Sequence, residues 1–104
     1  MRSHTWIDRR SRALHDAVAA RLEAEPRLLE IARDNLARWT ATHSSAALQE
    51  WQALIEHQSI DQIASLLRSD DENAARLRQS SPFAGILSPE ERQRILRSHD
   101  PRCA

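Results

Sequence analysis

Apolar residues recur at helical spacing along most of this chain, and the breaks in that recurrence mark its elements. Leu14, Val18 and Leu22 repeat every four residues, with Ile7 and Ala17 close to their face. This predicts a first helix from about His4 to Ala24, with Ser3 as its N-cap. Pro26 interrupts the pattern and suits the first turn of a second helix, over about Pro26 to Ala41. Leu28, Leu29, Ala32, Leu36 and Trp39 form its apolar stripe. So short a join predicts an antiparallel hairpin of these two helices, or one kinked rod. The polar run Thr40 to Ser45 reads as a turn, and Leu48, Trp51, Leu54 and Ile55 place a third helix over about Ala46 to His57.

Three repeats of one signature set the remaining starts. Ser59 and Gln62 form an S-x-x-Q capping box, in which each side chain satisfies a free backbone N–H of the other residue, and they open a fourth helix over about Ile60 to Arg68. Ser69 and Glu72 repeat the signature and predict a fifth helix from about Asp70 to Gln79. Ser88 and Glu91 repeat it again around Pro89 and predict a sixth from about Pro89 to Arg97. No strand pattern appears: there is one Gly, and β-branched residues are few. The expected fold is all-α, a compact bundle of five or six short helices. One domain covers residues 1–97, and residues 98–104 form a frayed C-terminal tail.

Composition changes this picture in two ways. Apolar residues make up 40% of the chain and charged residues 29%, too apolar for a disordered chain and too little for a large dry core. A partner that covers apolar surface would help such a domain. The net charge is zero, and it balances locally: residues 1–52 carry eight Arg and seven acids, residues 53–104 seven Arg and eight acids. That argues against a large nonspecific electrostatic attraction to nucleic acid. All 15 basic residues are Arg. A GC-rich genome accounts for this, and selection for bidentate ion pairs at an interface is the alternative. Cys103 is the single cysteine, so neither an intramolecular disulfide nor a Cys-based metal site is expected. No apolar run approaches the ~18 residues of a membrane span. The start of the chain lacks the apolar core of a signal peptide, so a cytoplasmic protein with no membrane partner is expected.

Catalytic and metal-binding patterns are hard to write here. His4, His15, His43, His57 and His99 are scattered with no zinc spacing and read as solvent-facing or helix-end residues. Asp70, Asp71 and Glu72 complement a helix dipole better than they match a calcium loop, which needs alternating ligands and a central Gly. Ser80-Ser81 lacks the G-x-S-x-G elbow, and one Gly cannot make a phosphate loop. No enzymatic activity, cofactor or metal is therefore expected. Arg9, Arg10 and Arg12, with Arg2 and Trp6, form the most basic segment. It reads as a solvated helix face, with nucleic-acid binding as the alternative, although Asp8 and Asp16 sit beside it. Trp6, Trp39 and Trp51 fit core packing, yet three Trp against one Phe and no Tyr is interface-like, and Trp6 is the candidate anchor.

The strongest functional candidate is the stretch Arg76 to Arg92. It holds the only Phe, the only Gly and two of the four Pro, between two segments that read as helices. Pro82-Phe83-Ala84-Gly85-Ile86-Leu87 reads as a connector tucked under the domain or as an apolar hook that docks into a partner, and the two are compatible, because a connector fixed by the core can still present one side chain outward. In the second case Phe83, Ile86, Leu87 and Trp6 supply anchors and Arg76 and Arg78 supply orientation. The stretches Arg9–Leu22, Ala32–Trp39 and Leu77–Arg92 resemble a group of small bacterial all-helical proteins, some of which are similar to antitoxins of toxin–antitoxin pairs. The resemblance implies an antitoxin-like protein that binds and neutralises a partner protein, a toxin encoded by an adjacent gene. A DNA-binding regulator of its own operon and a chaperone for a secreted effector stay open as alternatives, as does a homo-oligomer.

Overall fold

In the computed structural model the described residues are 2–99, with side chains described from residue 7 onward. They form six α-helices: α1 (Arg2–Ala24), α2 (Leu29–Thr42), α3 (Ala46–His57), α4 (Ile60–Arg68), α5 (Glu72–Arg78) and α6 (Pro89–Ser98). A 3₁₀ turn, Pro26–Leu28, links the first two. Among the described residues there is no strand, and the helices pack as one compact all-α globule.

The centre of the molecule is the pair α1 and α4. α1 buries His15, Val18, Ala19 and Leu22, the i, i+3, i+4, i+7 positions of one helix face. α4 answers with Ile63, Ala64 and Leu67. Ala19 and Ala64 are almost wholly covered, and side chains that small let helix axes approach closely. α2 packs mainly on α3; α2 buries Leu29, Ala32 and Leu36, and α3 buries Leu48, Trp51 and Ile55. α5 contributes Ala74 and Leu77. α6 rests on α1 without a single buried residue; Ile95 and Leu96 are half-buried.

Several expectations change at the helix ends. α1 already runs through Ser3, so that residue is inside the helix and not its N-cap. Pro26 opens the 3₁₀ turn, with Leu28 N–H donating to the Glu25 carbonyl at 3.0 Å, and α2 begins only at Leu29. The turn sends α2 onto α3, so α1 and α2 do not pack along each other as a hairpin. The Ser59–Gln62 capping box forms in full, with both reciprocal bonds present. The Ser69–Glu72 box does not. Ser69 has extended backbone and ends α4, and Asp71 caps α5 by accepting from Ala74 N–H at 2.7 Å. Ser88 caps α6 through Glu91 N–H at 3.1 Å, with Pro89 at the first helical position. α6 continues to Ser98 and a turn residue, His99, follows it; residues 100–104 of the expected frayed tail lie outside the described residues. Among the described residues no helix is long and apolar enough to cross a membrane.

Candidate functional site

The segment between α5 and α6 turns on three side chains from three different helices. Asn35 of α2 is buried and donates both amide hydrogens to it, to the Pro82 carbonyl at 2.8 Å and the Ala84 carbonyl at 2.9 Å. Its own carbonyl oxygen accepts from Arg38. Trp51 of α3 is fully buried and donates its indole N–H to the Leu77 carbonyl at 2.9 Å, which ties the end of α5 to α3. The ring of Phe83 meets that of Trp51 edge to face, 5.2 Å between centroids at 86°. On its other side Phe83 meets His15 of α1 at 6.4 Å and 85°. Phe83 N–H also bonds the Ser81 hydroxyl at 3.3 Å, and Ile86 N–H bonds the Phe83 carbonyl at 3.3 Å across a tight turn. Gly85 occupies the third position of that turn with φ +93°, a conformation that side-chain-bearing residues rarely adopt.

Phe83 and Ile86 are each only 3% exposed, and Pro82 is fully buried. The segment is therefore a tucked connector, in which Pro82, Phe83 and Ile86 complete the chain's own core while Ala84 and Gly85 stay exposed. Leu87 is half-buried and packs against that core. Arg78 is also buried. It donates to the Ser69 carbonyl at 2.8 Å and the Leu67 carbonyl at 3.4 Å, so its charge sits at the carbonyl end of α4, where a helix favours a cation. Burial, and then the nearby Arg12, pull its pKa below the ordinary arginine value. Arg76 is exposed but holds Glu50 of α3 in a bidentate pair at 3.0 and 2.9 Å. That contact lowers the Glu50 pKa, first through the hydrogen bonds themselves. Of the other anchor candidate, Trp6, the side chain lies outside those described.

The basic segment of α1 is not an unbroken cationic face. Arg12 pairs with Asp70, Arg10 is half-buried and engaged, and Arg9 is exposed with the acid Asp8 next to it. Other arginines also tie helices together: Arg68 of α4 holds Glu23 of α1 at 3.0 and 2.7 Å, and Arg21 of α1 reaches Glu91 of α6 at 3.9 Å. Among the described residues no group of three or more His, Cys, Asp or Glu is placed to share a metal ion.

Two concavities involve more than one element and contain core residues. One, of about 510 Å³, lies between α2 and α3 and is lined by the buried Leu36 and Ile55, the half-buried Gln52 and the exposed Arg33, Ala37 and Glu56. The other, of about 350 Å³, lies where α1, the connector and the start of α6 meet, and it is lined by His15, Phe83 and Arg92 among others. A larger hollow of about 650 Å³ is walled, among the described residues, by α6 alone.

Two residues central to this arrangement are not among those the sequence pattern singles out. Asn35 lies at i+3 from Ala32 and one before Leu36, on the buried face of α2, and a polar residue on an apolar stripe is the signal that would have found it. His15 was expected at the surface but is 8% exposed, because it follows the Val18–Leu22 face one turn earlier. No known family model, curated protein or solved structure matches the chain.

Proposed function

We propose that this chain is an antitoxin-like binding protein of the cytoplasm, which neutralises a partner protein by occupying it and performs no catalysis of its own. The observation that supports this most is the α2–α3 groove. Its lining combines the apolar Leu36, Ala37 and Ile55 with exposed charge of both signs, Arg33 and Glu56. A groove between two helices with apolar lining suits an amphipathic helix, which would lay an i, i+3, i+4, i+7 ridge into it. Arg33 is already partnered by Glu30. Glu56 has no cation partner among the described residues, so the incoming helix is expected to bring a basic residue to it. With Phe83 and Ile86 committed to the core, this groove takes the place of the connector as the binding surface.

The partner to test is the protein encoded by the neighbouring gene, co-expressed and co-purified with this chain. Ala37 is exposed at the groove, so Ala37→Arg fills it without disturbing buried residues. The variant is expected to keep wild-type helical circular dichroism and to lose at least tenfold in partner affinity, the scale of a blocked hot spot. Its ability to rescue growth against the partner should fall with it. Undiminished binding and rescue by Ala37→Arg would place the interface elsewhere.

A further inference from the structure

The cavity at the junction of α1, the connector and α6 is lined by His15, one ring nitrogen of which has no hydrogen-bond partner among the described residues. His15 is 8% exposed, and its Nδ1 lies 2.7 Å from the Ser11 carbonyl oxygen. A carbonyl can only accept, so the proton sits on Nδ1, and Nε2 of the neutral ring is an acceptor with a free lone pair. Among the described residues none donates to Nε2; both ring contacts are through Nδ1. Among the described residues the solvent-sealed side-chain atoms without a partner are Nε of Arg12 and Nε of Arg21, and Nε2 of His15 is not one of them; His15 itself is a lining residue of the cavity. The remaining walls include Leu14, Val18, Phe83 and Leu87, all apolar. At the exposed side stands Arg92, whose guanidinium forms no ion pair among the described residues.

We propose that this cavity binds a small aromatic hydroxy acid. The hydroxyl donates to Nε2 of His15, the ring lies among Leu14, Val18, Phe83 and Leu87, and the carboxylate meets Arg92. The volume, about 350 Å³, is at the small end of the ~300–1,000 Å³ range of ligand pockets. A few polar groups at fixed places in an apolar pocket are the usual basis of orientation there. Burial lowers the His15 pKa and so favours the neutral, accepting ring. The inference does not depend on the α2–α3 groove, because the two concavities share no residue.

The test titrates the full chain, labelled with ¹⁵N, with 4-hydroxybenzoate, benzoate and phenol, and follows the imidazole nitrogens of His15 by NMR. 4-Hydroxybenzoate is expected to bind saturably and to move the Nε2 resonance. Benzoate, which lacks the donor, should bind about tenfold more weakly, the scale of one hydrogen bond. Phenol should also be weaker, because it lacks the partner for Arg92. His15→Phe should abolish the preference for 4-hydroxybenzoate over benzoate, and Arg92→Gln should abolish the preference over phenol. Equal affinity of the wild type for both acids, or no saturable shift with any of the three probes, overturns the proposal. Phenol binding as tightly as 4-hydroxybenzoate overturns the acid class. These wild-type comparisons decide the matter even if His15→Phe fails to fold.

Discussion

At the scale of single residues, His15 has the strongest consequence, because a buried imidazole makes folding depend on pH. Burial, the largest influence, and the nearby Arg78 lower its pKa from the usual 6.5, while the bond to the Ser11 carbonyl and the charge of Asp16 oppose them. The folded chain therefore binds the His15 proton less readily than the unfolded chain does. Below the unfolded value the unfolded state holds more protons, so the stability that His15 supplies is complete above about pH 6.5 and is lost as pH falls through it. Glu23, Glu50 and Asp71, whose pKa values are held low mainly by hydrogen bonds, lose their contribution at lower pH, as it falls from the ordinary carboxylate values through their lowered ones. The melting temperature should drop between about pH 7.5 and about pH 5.5, and His15→Gln, which cannot titrate, should flatten that segment of the curve. An unchanged slope in the variant would assign the acid sensitivity to other groups. Asn35 is the complementary case at this scale. Periodicity marks its position as buried, but nothing local says that its partners lie 47 and 49 residues away, at Pro82 and Ala84.

At the scale of elements, most of the architecture was legible because it depends on local chemistry. Apolar spacing located the first three helices and a repeated capping signature the other three, and the S-x-x-Q signature at Ser59 and the Ser88-Pro89 start are local hydrogen-bond devices that formed where expected. The start of α5 was misjudged for a physical reason. Ser69, Asp70 and Asp71 are three successive capping residue types, and only the packing selects among them. Ser69 is already occupied in ending α4, its N–H on the Leu66 carbonyl, while burial of Ala74, Leu77 and Arg78 fixes the helical phase that leaves Asp71 at the cap. Replacement of the caps should reflect this. Ser59→Ala removes a complete capping box and should cost about 1 kcal/mol in urea unfolding. Asp71→Ala should destabilise more than Ser69→Ala, since Asp71 makes the bond to Ala74 N–H and Ser69 only supports Asp71 through a 2.9 Å hydroxyl bond. The reverse order would restore Ser69 as the cap. The connector shows the same limit. Its unusual backbone was visible in Gly85 and the flanking prolines, whereas the inward direction of Phe83 depends on His15, Asn35 and Trp51, which come from three other helices.

At the scale of the whole molecule, the core is unevenly distributed, and stability should follow it. α1 and α4 form the most intimate pair, and α4 buries Ile63, Ala64 and Leu67 almost completely. α6 buries nothing. It is held by half-buried Ile95 and Leu96, by its cap at Ser88 and by the loose Arg21–Glu91 contact at 3.9 Å. Ion pairs of this exposed kind add little, and salt screens them. An element with few buried apolar contacts opens locally at a lower free energy than the global transition. Native-state hydrogen exchange should therefore rank the amides of residues 63–67 among the most protected and those of residues 93–97 well below them. The connector should exchange with the core and not with α6, because Phe83, Pro82 and Ile86 are buried in it. This gradient matters for function. It leaves the α2–α3 groove on core-anchored helices and the Arg92 side of the smaller cavity on the helix that opens most readily. Addition of a saturating cavity ligand should then slow exchange in α6 more than in α3, since a ligand that binds only the closed form stabilises it by mass action. Protection of α6 equal to that of α4 in the free protein would mean that all six helices open together, and the ligand would then slow exchange in every helix alike.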